Sequence, residues 1–217
     1  MPATGARHEP IADKRAAIDD AARRVFGRLG YARAPVDAIA AEAGVSTRTL
    51  YKHFGGKLAL FSDVLVAGAT DVADAFEEQV REGFDASSPA RSLRVLAGAI
   101  VAHRARFPAH FALVARLNAE RDQFPAELLE SWLDAGPRRV RALLRERLGT
   151  LAAANGVELD DPAAAARHLV ALVTSTLNTD PEGGRPPTDA EVEDAVGVFA
   201  RGYGFRAAST STAGSPA

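Results

Sequence analysis

The sequence predicts an all-helical protein, and three observations carry that prediction. Alanine, the residue with the best intrinsic helix propensity, occurs 46 times in 217 residues. Val, Ile, Thr and the aromatic residues are too sparse to alternate as strands. Apolar residues recur instead at three- and four-residue spacings between Pro and Gly punctuation. With 47% hydrophobic and 25% charged residues, the chain falls outside the disordered and low-complexity classes and is long enough to bury a core. No stretch approaches the roughly 18 consecutive apolar residues of a membrane span. Met1 to Pro10 also lacks the apolar core of a secretory signal, so a cytoplasmic address with no membrane partner is expected. The absence of Cys excludes disulfides and thiolate chemistry.

Residues 1–12 read as a flexible arm and 207–217, rich in Ser, Thr, Ala and Gly, as a disordered tail. Asp13 is placed to cap a first helix whose buried stripe is Ile18, Ala21, Ala22, Val25, Phe26 and Leu29, and Gly30 ends it. A short second helix spans about Pro35 to Ala43. Gly44 and Val45 turn the chain, Ser46 caps a third helix with Leu50, Tyr51 and Phe54 on its apolar edge, and Gly55-Gly56 stops it. A fourth helix starts near Lys57 and, through Leu58, Phe61, Val64, Leu65, Val72, Phe76 and Val80, is long enough to leave this small unit and enter the next without a linker. Further helices are predicted near 88–106, 108–119, 125–135, 137–154, 161–178 and 188–204, with Pro89, Pro108, Pro125, Pro137 and Pro162 near their starts. The predicted organisation is an arm at 1–12, a three-helix unit at 13–57, a larger helical domain at 58–206 and the tail.

Charge divides along the same boundary. Residues 1–57 hold 10 Lys or Arg against 6 Asp or Glu, or +4, and residues 58–217 hold 16 against 22, or −6. A basic head on an acidic body is the pattern nucleic-acid attraction at one end requires. Val36 to Phe54 fits a helix-turn-helix: Ala40 is small where the helices cross, Gly44 supplies a positive φ, and Ile39, Val45 and Leu50 pack beneath. The second helix exposes Thr47, Arg48, Thr49, Lys52 and His53. A generic helical hairpin is the plain alternative on spacing alone.

The segment Ala16–Leu65, and above all "GVSTRTLYKHFGGKLALF", resembles the DNA-binding domain of TetR-type one-component regulators. The resemblance implies a homodimeric bacterial regulator, usually a repressor, that binds double-stranded operator DNA and whose C-terminal domain dimerises and takes a small inducer. It implies that Ser46 caps the recognition helix, that Thr47 and Arg48 face base edges, and that Tyr51, His53 and Lys57 hold phosphates with Thr49 and Lys52 beside them. Tyr51 as a packed ring, His53 and Arg48 as solvated groups and Lys57 as a cap of the next helix are the plainer readings. Where many relatives have Ser or Thr at the head of the second helix, this chain has Pro35, which offers neither hydroxyl nor amide hydrogen.

The rest is less legible. "RFPAHFALVARLNAERDQFPAELLESWLDAGPRRV" with "DDPAAAARHLVALV" looks like the AefR-like branch of the family. His110, Asn118, Trp132, Thr174 and Asn178, polar or aromatic residues amid apolar helices, are candidates for an inducer pocket, with satisfied core or interface residues as the alternative. Arg138, Arg139, Arg141, Arg145 and Arg147 read as the solvated face of an amphipathic helix. The apolar residues of 161–178 and 188–204, Leu169, Val170, Leu172, Val173, Leu177, Val192, Val196, Val198 and Phe199, exceed what a monomer core needs and predict a dimer through these helices. No metal set and no cofactor motif is found, since Pro108 separates His103 from His110 and no carboxylate completes them. An all-helical enzyme finds no catalytic motif in its support, and a helical ligand- or protein-binding dimer without a DNA role is the remaining rival.

Overall fold

The structure is a computed structural model that describes residues 11–175 and 186–205, and every regular element among them is helical. In chain order these are α1 (Ile11–Leu29), α2 (Val36–Glu42), α3 (Thr47–Phe54), α4 (Lys57–Gly83), α5 (Pro89–Arg106), α6 (Pro108–Ala119), α7 (Ala126–Ala135), α8 (Pro137–Ala154), α9 (Pro162–Val173) and α10 (Asp189–Gly202). Proline opens α5, α6, α8 and α9, where a missing N–H costs the helix nothing. Two boundaries differ from expectation. α1 begins at Ile11, so Asp13 lies within the first turn instead of capping it. α9 ends at Val173 and Thr174 follows as a turn, its hydroxyl bonded to the Val170 carbonyl at 2.8 Å, while 176–178 of the expected helix lie outside the described residues. The arm up to residue 10, the tail, Leu177 and Asn178 lie outside the described residues.

The chain divides into two compact units, Met1–Asp71 with Phe107–Ala135, and Val72–Arg106 with Gly136–Ala217. These units of packing do not follow the boundary expected after Lys57, since α6 and α7 close over the small helices at the N-terminus. α4 runs unbroken through both for 27 residues. It contributes Leu60, Phe61, Val64 and Leu65 to the first core and Phe76 and Val80 to the second.

In the first unit Phe26, Tyr31, Phe61 and Phe124 form an aromatic cluster with ring centroids 4.8 to 6.1 Å apart, spacings at which edge and offset contacts add to burial. In the second unit α5 packs against α8, α9 and α10. Leu169, Val173, Val196 and Phe199 are buried in that core. Val170, Leu172 and Val192 are only partly buried, and Val198 is 41% exposed.

Candidate nucleic-acid interface

α2 and α3 pack through Ile39, Ala40 and Leu50, all at most 2% exposed. Gly44 sits between them at φ +67°. A Cβ there would meet no neighbour within 4 Å, so the left-handed backbone alone favours glycine. Ser46 then takes an extended conformation, and its Oγ accepts the Thr49 amide at 3.1 Å, capping α3. Gly55 closes the helix with its N–H on the Tyr51 carbonyl. Pro35, at the head of α2, makes no side-chain cap.

With Leu50 and Phe54 buried, α3 turns Arg48 and Lys52, one turn apart, to solvent. Tyr51 is 46% exposed and is no packed ring. Neither Arg48, Tyr51 nor Lys52 has a hydrogen-bond or charged partner among the described residues. Thr47 and Thr49 are differently placed. Thr47 Oγ1 donates to Asp37 Oδ1 of α2 at 2.9 Å, and Thr49 Oγ1 shares a 2.8 Å hydrogen bond with Ser46 Oγ. Asp37 is the residue that sequence reading missed, and no signal ten positions away announces that it orients Thr47. His53 is half-buried at the end of α3. Lys57 is held: its Nζ donates to the Ala32 carbonyl at 3.3 Å and lies 4.8 Å from the Tyr31 ring centre. Partial burial lowers its pKa from the usual lysine value, against the charge of Glu120.

Most other cations of the head are paired. Arg24 and Arg28 both bond Glu42, at 2.6 and 2.7 Å, and these bonds pull its carboxyl down to about 2. Arg15 pairs with Asp63 at 2.9 Å and Arg23 with Asp71 at 3.3 Å. Arg48 and Lys52 of α3 are among the cations of the head left without a carboxylate partner among the described residues.

α6 fastens the head from within the same unit. Arg116 donates to the carbonyls of Gly27 and Arg28 at the end of α1, both at 3.3 Å, and Glu120 accepts the Ala32 amide at 3.0 Å. One turn and a half earlier on α6, His110 lays its ring on Gly68 of α4, where a Cβ would collide with it. Burial first, and Arg23 second, push the His110 pKa down to about 4, against the pull of Asp71. His110 Nδ1 and the Trp132 Nε1 of α7 are buried without a hydrogen-bond partner among the described residues.

The other pocket candidates divide. Asn118 is exposed on α6, next to the buried Leu117. Thr174 lies in the second unit with its hydroxyl on the Val170 carbonyl, and Asn178 is outside the described residues. Among the described residues no helix is long and apolar enough to cross a membrane.

Comparison with known proteins agrees with this geometry. Residues 18–64 match the model of bacterial regulatory proteins of the tetR family, and residues 91–205 match the C-terminal domain of AefR-like transcriptional repressors. No curated protein matches the chain. Among solved structures, a TetR-family regulator from Mesorhizobium loti is 25% identical, with a TM-score of 0.68, the match covering 92% of this chain and 99% of the other. The flavonoid-responsive regulator FrrA is 26% identical, with a TM-score of 0.67 over 88% of this chain and 95% of its own. A transcriptional regulator from Pseudomonas aeruginosa shares the fold, with a TM-score of 0.74 at 21% identity over 90% and 92% of the two chains. With an α3 that is capped, exposed and basic, a helical C-terminal domain, and both parts matched, the chain belongs to the TetR family of DNA-binding transcriptional regulators, in its AefR-like branch.

Proposed function

We propose that this regulator is a cytoplasmic homodimeric repressor, released from its double-stranded operator by a small, mostly apolar ligand. One observation carries the DNA contacts: the exposed face of α3, on which Arg48, Tyr51 and Lys52 stand without intramolecular partners. Arg48, in the first turn, reaches guanine O6 and N7 in the major groove. Thr47, held by Asp37, meets the neighbouring base edge. Ser46, Thr49, Tyr51, Lys52, His53 and Lys57 surround it on the phosphates, which set affinity and register more than sequence.

Support for the ligand comes from two sides. FrrA, 26% identical, is by its name flavonoid-responsive. Trp132 Nε1 and His110 Nδ1 are buried and unpaired, and an orphaned buried polar group costs about 1–3 kcal/mol until a partner arrives. A ligand acceptor on Trp132 Nε1 relieves part of that cost. α6 carries His110 near one end and the Arg116–Glu120 contacts to α1 at the other, so a shift of α6 reaches the head directly.

A gel shift on the DNA upstream of the protein's own reading frame tests the reading. The wild-type chain retards that DNA and Arg48→Ala does so weakly. A chain that retards no DNA even at low salt supports the rival reading, a helical ligand- or protein-binding dimer without a DNA role.

A further inference from the structure

Three side-chain hydroxyls stand at the start of α3, and the chain fixes where their hydrogens go. Ser46 Oγ accepts the Thr49 amide at 3.1 Å and shares a 2.8 Å hydrogen bond with Thr49 Oγ1. That pair holds two hydroxyl hydrogens and uses one between them, so the other is free for a phosphate oxygen, which only accepts. Thr47 differs. Its one hydroxyl hydrogen goes to Asp37 Oδ1 at 2.9 Å, and a carboxylate, which has no hydrogen to return, leaves the Thr47 oxygen with its lone pairs alone.

The contact is built by the crossing of α2 and α3. Asp37 lies in the first turn of α2 and Thr47 opens α3, and the two helices pack through Ile39, Ala40 and Leu50. Asp37 is exposed, and among the described residues no cation pairs with it. A phosphate near Thr47 therefore meets a like charge as well as the lack of a donor. A base-edge amino group meets the reverse: an oxygen ready to accept, and beside it a carboxylate that favours the positive end of an N–H. In the major groove adenine N6 and cytosine N4 are such groups, whereas guanine O6 and thymine O4 only accept.

Resting on the DNA contacts proposed above, we infer that Asp37 sets the base preference of this regulator at a second position of each half-site. As a positioning residue it holds the Thr47 hydroxyl hydrogen, so that Thr47 reads by accepting and selects adenine or cytosine over guanine or thymine on the strand it faces. Each base pair shows its amino group on one strand only, so the choice fixes which way round the pair stands. Arg48, one residue on, carries donors only and reads guanine. The two neighbours thus read groups of opposite polarity. Without Asp37 the Thr47 hydroxyl turns freely and donates as readily as it accepts, and the discrimination is lost.

Selection of randomised duplexes by the full chain, followed by affinities for duplexes that differ at single pairs, tests this. Thr47→Val, which keeps the shape and removes the hydroxyl, locates the pair that Thr47 faces. At that pair the wild type prefers adenine or cytosine over guanine or thymine by at least about fivefold. Asp37→Ala brings this preference to within about twofold while the guanine preference set by Arg48 stays, and it changes nothing further in the Thr47→Val background. Thermal melts check the fold of each variant, and the sign of the wild-type preference is read without Asp37→Ala. A preference for guanine or thymine, or one that survives Asp37→Ala, overturns the inference. So does an Asp37→Ala effect of equal size without the Thr47 hydroxyl, which would put the carboxylate itself on the base. A Thr47→Val profile equal to wild type at every pair overturns it and leaves the Arg48 reading standing. A chain that selects no sequence even at low salt overturns the DNA reading and this inference together.

Discussion

Arg48 and Lys57 differ in what holds them, and so in how their loss is felt. Arg48 has no partner within the chain, whereas Lys57 is bonded to the Ala32 carbonyl beside the Tyr31 ring. Arg48→Ala is expected to cost about 1–3 kcal/mol of operator affinity and to relax preference at one base pair of each half-site. Lys57→Ala weakens operator and non-specific DNA alike and loosens the α1–α2 connection. Binding of both variants to a set of single-base operator changes separates the roles, and equal loss of discrimination would contradict them. His110 governs a pH effect at the same scale. Its pKa, about 4 in the fold against 6.5 when solvated, means that the unfolded chain takes up a proton the folded chain refuses. Stability is therefore full above pH 6.5 and falls as the pH drops toward 4, by roughly 3 kcal/mol at the limit. His110→Phe, which keeps a ring against Gly68, is expected to flatten that part of the stability curve. An unchanged slope in denaturant melts between pH 6.5 and 4 would assign the effect elsewhere. The Glu42 contribution lies lower, lost as pH falls from 4.5 through about 2.

At the scale of the element, the cap of α3 is expected to serve both folding and recognition. Ser46→Ala removes the acceptor for the Thr49 amide and is expected to cost about 1 kcal/mol of stability. Ser46→Asp restores the cap and the melting temperature but sets a carboxylate against the phosphates, so its DNA affinity stays low. If both variants melt and bind alike, the cap has no part in recognition. Helix ends were legible because Pro and Gly state their backbone requirements locally: α6 and α8 run from Pro108 to Ala119 and Pro137 to Ala154, the spans the punctuation predicts. The turn at Thr174 that closes α9 was not legible, because the apolar periodicity continues across it. The exposed face of α3 was legible from Leu50 and Phe54 alone. The grip of Asp37 on Thr47, and of Arg116 on α1, was not, since each is a contact between residues whose types commonly face solvent.

For the whole molecule, the proposed release by a ligand makes ligand and operator compete through one equilibrium. A ligand that lowers operator affinity binds more weakly, by the same factor, to the DNA-bound protein. Thermal shift against a panel of apolar and amphipathic compounds, followed by titration with and without operator, measures both sides. Equal affinities in the two titrations would uncouple the sites. Operator affinity is also expected to fall with salt, but gently, because few cations of the head are available to displace counterions; an affinity unchanged between low and moderate salt would remove the electrostatic contribution. The division into two units was hidden from the sequence because it is made by contacts between distant residues. Arg116 and Gly27 are 89 positions apart, and no local pattern records that residues 107–135 pack with the head.

The carboxylates that bind Arg15, Arg23, Arg24 and Arg28 also bear on how this regulator is distributed over a chromosome. A genome offers on the order of 10⁶ or more non-specific sites for each operator, and a head with every guanidinium free would be absorbed by them. Offsetting these four cations with three of the chain's own acids lowers attraction to arbitrary duplex while leaving Arg48 and Lys52 unpaired. The ratio that decides operator occupancy improves without one additional contact to the operator. A cell holding few copies of the protein can then keep its site filled.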